Sequence, residues 1–122
     1  MIYPEIIMPD TTEKRKLLFV ILNKPERLQD LMVIFVELGL KGATVFDSVG
    51  MGKILTQDVP LFAELRGFLT GARQQNKTIM ILLPEEMIPL VVEAFEEAVG
   101  PLSEPGNGVI FAVPVEQIYG AQ

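Results

Sequence analysis

Three stretches, Leu17–Leu22, Thr78–Leu83 and Val109–Val115, carry apolar side chains at both alternating positions of an extended chain. A strand that is apolar on both faces has to be covered on both. Two amphipathic segments of about fourteen residues, each roughly 21 Å long and packing roughly 10 Å apart, blanket one side of a four-stranded sheet about 19 Å wide. The other side stays bare. Leaving about ten apolar side chains in water there forgoes on the order of 15 kcal/mol, at roughly 1.5 kcal/mol each, which a small domain cannot lose. The expectation is a subunit whose bare sheet face is buried against copies of itself.

Composition narrows the chemistry. The 122 residues suffice for one domain with one core. No apolar run approaches the eighteen or so residues of a membrane span, and Met1–Glu5 lacks the basic-then-apolar plan of a secretory signal. A cytoplasmic protein without direct membrane insertion is expected. With neither Cys nor His, the chain cannot build a disulfide, a thiolate or imidazole zinc site, a Cys nucleophile or a His general base. A net charge of −6 argues against nucleic acid, which demands a cationic surface. Local basic spots can still hold one small anion.

The first sixteen residues read as an N-terminal arm, leaving residues 17–122 as the domain. After the first strand, Asn23-Lys24-Pro25 supplies a capping residue and a proline at a helix start, and Leu28, Leu31, Met32, Phe35 and Leu38 recur at helical spacing up to Gly39. A second strand, Ala43–Val49, carries Asp47 and Ser48 and reads as an edge. Following the third strand, Pro84-Glu85-Glu86 opens a helix with Met87, Leu90, Val91, Ala94, Phe95 and Ala98 on one face, ended by Gly100-Pro101. The fourth strand follows Gly106-Asn107-Gly108, and its Pro114 suits an edge. The order βαββαβ predicts an α+β ferredoxin-like sandwich, a four-stranded antiparallel sheet with two helices on one face and the first and third strands central. The connection 53–77 is too long for a featureless loop. Pro60, Leu61, Phe62, Leu65, Phe68 and Leu69 share a helical face, which predicts a short helix within it.

Three local motifs fit a known family. Leu22-Asn23-Lys24-Pro25-Glu26-Arg27-Leu28-Gln29-Asp30 is similar to Ile-Ile-Lys-Pro-Phe-Lys-Leu-Asp-Asp, and Gly42-Ala43-Thr44-Val45 leading to Gly50-Met51-Gly52-Lys53 is similar to Gly-Met-Thr-Val leading to Gly-Phe-Gly-Arg. Gly106-Asn107-Gly108-Val109-Ile110-Phe111-Ala112-Val113-Pro114-Val115 is similar to Gly-Asp-Gly-Lys-Ile-Phe-Val-Phe-Pro-Val. From Lys16 to Gly120 the chain resembles the PII nitrogen-regulatory signalling proteins. The resemblance implies a PII-like homotrimer with inward-facing sheets, nucleotide clefts between subunits, and a T-loop equivalent at 53–77 that engages a membrane transporter or a regulated enzyme. The family's phosphate-binding lysine and two arginines fall on Val109 and the tail 119–122, and its T-loop-base glutamine on Ile54. No cofactor is therefore certain, and an ATP- or ADP-like nucleotide would bind with reduced phosphate contacts. Between Lys53 and Lys77 there is no tyrosine or serine to accept the family's covalent modifications.

The candidate ligand-binding residues are Thr44, Gly50, Gly52, Lys53, Gly106, Asn107 and Gly108. The glycines let backbone N–H groups approach an anion, or simply end strands and make turns. Lys53 is a cation for such a cleft or a solvated lysine, and Thr44 is a hydrogen-bonding partner for a base or sugar or an ordinary strand residue. Lys24 reads as a surface-turn residue. Glu85, Glu86, Glu93, Glu96 and Glu97 line the polar side of a helix and read as a solvated face, not a catalytic or metal-binding set. The expected function is regulatory and not enzymatic: a homotrimer senses a small anionic metabolite or nucleotide between subunits and relays it to a partner through 53–77. The alternative is a ligand-free trimeric scaffold.

Overall fold

The two long apolar runs pair with each other. β1 (Arg15–Leu22) and β3 (Asn76–Pro84) lie antiparallel, with Leu18 opposite Ile81 and Phe19 opposite Met80. β4 (Gly108–Pro114) pairs antiparallel with the other side of β1, and β2 (Thr44–Ser48) with the other side of β3, giving the order β2-β3-β1-β4. The computed structural model describes residues 14–54 and 75–120. Helix α1 (Leu28–Glu37) joins β1 to β2, a single turn α2 (Met51–Lys53) follows β2, and α3 (Ile88–Ala98) joins β3 to β4. This is the ferredoxin-like α+β sandwich, with the polar-edged β2 and the proline-bearing β4 outermost.

Alternation divides the sheet into two unlike faces. Leu18, Val20 and Leu22 of β1 and Ile79, Ile81 and Leu83 of β3 are fully buried against Leu31 and Phe35 of α1 and Val91, Ala94 and Phe95 of α3. The intervening Leu17, Phe19, Ile21, Met80 and Leu82 are only half-buried, and Phe46, Val109 and Phe111 on the same side are exposed. Phe19 and Phe111 stack there with ring centroids 4.9 Å apart. Among the described residues, nothing covers this second face. No helix of the described residues is long and apolar enough to cross a membrane.

Local differences from expectation have local causes. Asn23 does not cap the first helix. A 3-10 turn, Pro25–Arg27, leads into α1 with no side-chain cap, because the Asn23 carboxamide accepts a hydrogen bond from Asn76 Nδ2 at 3.3 Å. At the other end Gly39, at φ +87°, closes α1 as expected: its N–H bonds Val36 O, and the Leu40 N–H bonds Phe35 O, which satisfies two terminal carbonyls. On α3, Leu90 faces solvent, and Ile88 takes its expected place against the core. The apolar pattern placed the first strand at Leu17, but Arg15 and Lys16 already belong to β1. The predicted helix within 60–69 and residues 1–13 lie outside the described residues.

Truncating Leu18 to Ala removes side-chain volume from the fully buried layer and is expected to cost about 2–5 kcal/mol. Val36→Ala, on the solvent side of α1, should stay within about 0.5 kcal/mol of the parent. Urea unfolding midpoints measure both.

Candidate functional site

The seven residues singled out in the sequence occupy three places. Gly50, at extended backbone angles, precedes α2, and Gly52 and Lys53 belong to that turn. Gly106-Asn107-Gly108 forms the entry to β4. These groups share one end of the sheet, where Gly108, Leu22, Lys77 and Asp47 stand in a row across the four strands. They lie at opposite edges, however, three strand spacings or about 14 Å apart. Thr44 begins β2, four residues before Ser48 and so about 13 Å further along the sheet. One chain does not bring the seven together.

The turn before β4 is shaped by packing. Gly106 has φ +94° and Gly108 φ +154°. A Cβ at Gly108 would stand 2.2 Å from the Ile21 carbonyl oxygen and 2.9 Å from the Phe95 ring, so the strand entry fits only a glycine. Asn107 is buried, and its Nδ2 donates to Pro101 O at 2.7 Å. The side-chain amide thus fastens the α3–β4 connection. Glu96 assists from the exposed side of α3, its carboxylate accepting the Leu102 N–H at 2.9 Å.

A chain of hydrogen bonds connects that turn to the opposite edge. The Asn23 N–H donates to Asn107 O at 3.0 Å, Asn23 Oδ1 accepts from Asn76, and Ser48 donates to Asn76 Oδ1 and shares a 2.7 Å bond with Thr78 Oγ1. Beside it Lys77 pairs with Asp47. Asn76 and Thr78 are buried, yet no buried side-chain polar atom of the described residues lacks a partner. The network therefore joins the two strand ends that flank the long connection to the turn at Gly106–Gly108. Nothing in the sequence pattern singled out Asn76 or Asn23 for this role, since their partners are distant along the chain.

At the other end of the sheet a groove of about 710 Å³ opens between the α1–β2 loop and the end of β3. Leu38, Leu40, Met80, Leu82 and Met87 give it apolar walls, and Thr44 contributes a hydroxyl. Among the described residues, its ionisable lining side chains are those of Arg15 and Lys41. Sequence reading missed both cations, placing Arg15 in the arm and leaving Lys41 as an unremarked loop residue. No group of three or more acidic side chains converges as metal ligands among the described residues.

Residues 15–122 match the sequence profile of the family described as Nitrogen regulatory protein P-II. The chain belongs to this family. A solved structure, the crystal structure of Arabidopsis thaliana PII bound to citrate, superposes with a TM-score of 0.59 at 21% identity, covering 84% of this chain and 78% of that one. At that identity the likeness speaks for the fold. A search of curated proteins found no match. Membership makes this a PII-type signalling protein, of a family of regulators and not of enzymes.

Gly108→Ala is expected to cost more than about 3 kcal/mol, since backbone must move to admit the methyl group. Asn76→Ala strands the polar partners it satisfies and should cost about 1–3 kcal/mol. Thermal denaturation, with hydrogen exchange at Asn23 and Asn107 for the second variant, measures the two effects.

Proposed function

We propose that the protein is a cytoplasmic PII-like homotrimer that senses a small anionic metabolite or nucleotide at clefts between subunits. Through residues 53–77 it reports binding to a partner, a membrane transporter or a regulated enzyme. The observation that carries this reading is the uncovered sheet face, which runs without interruption into the groove. Thr44, Met80 and Leu82 belong to both. A sister chain seated on the face hides Phe19, Phe46, Phe111 and their neighbours and at the same time walls the groove. Such an arrangement also answers the dispersal of Thr44, Gly50, Gly52, Lys53 and Gly106–Gly108 over one chain, because two chains can bring distant edges together. An open groove of this volume with apolar walls and few polar groups has the make-up of a small-molecule site.

Family membership supports the regulatory role, and the citrate named for the Arabidopsis PII structure is itself a small anion. Signal relay follows from differential contact. A ligand that touches two arrangements of the 53–77 base unequally shifts their populations by that difference. The hydrogen-bonded chain from Asn107 to Ser48 places the turn and both strand ends in one network through which such a difference is felt. An ATP- or ADP-like nucleotide would lack the phosphate contacts that a cation at Val109 gives.

Sedimentation velocity at micromolar concentration should give a trimer, and Phe111→Asp, which puts a charge on the uncovered face, should dissociate it. A monomeric parent chain refutes the assembly. A thermal-shift screen with ATP, ADP, cyclic nucleotides, 2-oxoglutarate, bicarbonate and citrate tests sensing, with about 2.7 kcal/mol of stabilisation expected at a hundredfold excess over Kd. A trimer that responds to none of them is the ligand-free scaffold instead.

A further inference from the structure

We infer that Asn107-Gly108 is a self-modification site: the asparagine deamidates onto its own backbone once the connection between α3 and β4 opens, and the closed fold holds it unreacted. Of the three asparagines in the chain, Asn23 and Asn76 precede lysines, and Asn107 alone precedes a glycine. The reaction brings the following backbone nitrogen onto the side-chain amide carbon. A glycine has no Cβ to obstruct that approach and leaves the backbone free to turn. The Gly108 nitrogen gives up its proton to hydroxide and bonds to Asn107 Cγ, while the Cγ–Nδ2 bond breaks and Nδ2 leaves as ammonia on taking up a proton from water. The product is a cyclic succinimide. A water molecule then opens the ring. Cleavage between the nitrogen and Cγ leaves aspartate, and cleavage between the nitrogen and the Asn107 main-chain carbonyl carbon leaves isoaspartate, whose backbone runs through the side chain.

In the closed fold the groups that must move are pinned. The Asn107 side-chain amide is buried, donates from Nδ2 to Pro101 O at 2.7 Å, and packs so closely on Gly100 that a Cβ there would lie 2.9 Å from Nδ2. The attacking peptide group is held from its other end. Its oxygen, the Asn107 carbonyl, accepts the Asn23 N–H at 3.0 Å, and Gly108 stands opposite Leu22 in the β1–β4 ladder. Turning the Gly108 nitrogen onto Cγ means releasing both ends, so the reaction waits for the connection to open. Neither product fits the closed turn again. Each carries a carboxylate, which has no N–H to offer Pro101 O, and burying that charge beside a carbonyl is unfavourable. Isoaspartate also lengthens the backbone before Gly108, where an added Cβ would already stand 2.2 Å from Ile21 O. An opening that lasts long enough for reaction is thereby made permanent.

Peptide mapping by mass spectrometry of the full chain, aged in mildly alkaline buffer with and without denaturing urea, tests the assignment. In urea Asn107 should deamidate well ahead of Asn23 and Asn76. In buffer it should react about a hundredfold more slowly or less, since only the open fraction is competent. Glu96→Ala, which removes the carboxylate that holds the Leu102 N–H, should speed the reaction in buffer and leave the rate in urea unchanged. Gly108→Ala, compared in urea where folding plays no part, should slow it. Asn107→Asp makes one product directly and should lower both the urea midpoint and the hydrogen-exchange protection of the Asn23 amide. Equal rates at Asn107 in buffer and in urea overturn the gating by the fold, and equal rates at the three asparagines in urea overturn the site itself. An Asn107→Asp chain as stable and as protected as the parent overturns the permanence of the change.

Discussion

Everything in this fold follows from β1 and β3 being apolar on both faces while the described helices form a single layer. Leu18, Val20, Leu22, Ile79, Ile81 and Leu83 are buried by α1 and α3, and that burial is the core. The same strands cannot present these residues inward without presenting Leu17, Phe19, Ile21, Met80 and Leu82 outward. A one-residue shift in register would exchange the two sets, and both are apolar, so hydrophobicity alone does not fix the pairing. The polar ends do. Ser48, Asn76 and Thr78 find one another on the uncovered face, and Lys77 finds Asp47 on the helical one. Slipping the register by one would part these groups and leave buried amides unpaired, at about 1–3 kcal/mol for each group.

The position of that polar cluster matters because it lies where the chain leaves β2 and returns into β3. A connection tethered at both feet by a satisfied network has a defined base. Asn23 extends the network to the turn before β4, which is itself held by Gly108 and Asn107. Each link is a modest interaction, but each joins elements far apart in sequence, so together they make one end of the sheet a single mechanical unit. The groove lies at the other end, against the edge strand and the α1–β2 loop.

The elements legible from sequence were those written in local periodicity. Alternation and helical spacing gave the strands and helices, Asp47, Ser48 and Pro114 marked the edges correctly, and Gly39 and Gly100 marked helix ends. Errors arose where a side chain had a local and a distant option. Asn23 looked like a helix cap, but the buried Asn76 amide claims its oxygen. Leu90 fits the apolar stripe of α3, yet the helix is rotated so that Ile88 packs and Leu90 does not. Of the candidate site, the glycines were visible as motifs, and their geometry was not: only the fold reveals that a methyl at Gly108 would strike Ile21. Arg15 and Lys41 were invisible as a pair because no spacing rule relates the start of one strand to a loop that follows a helix.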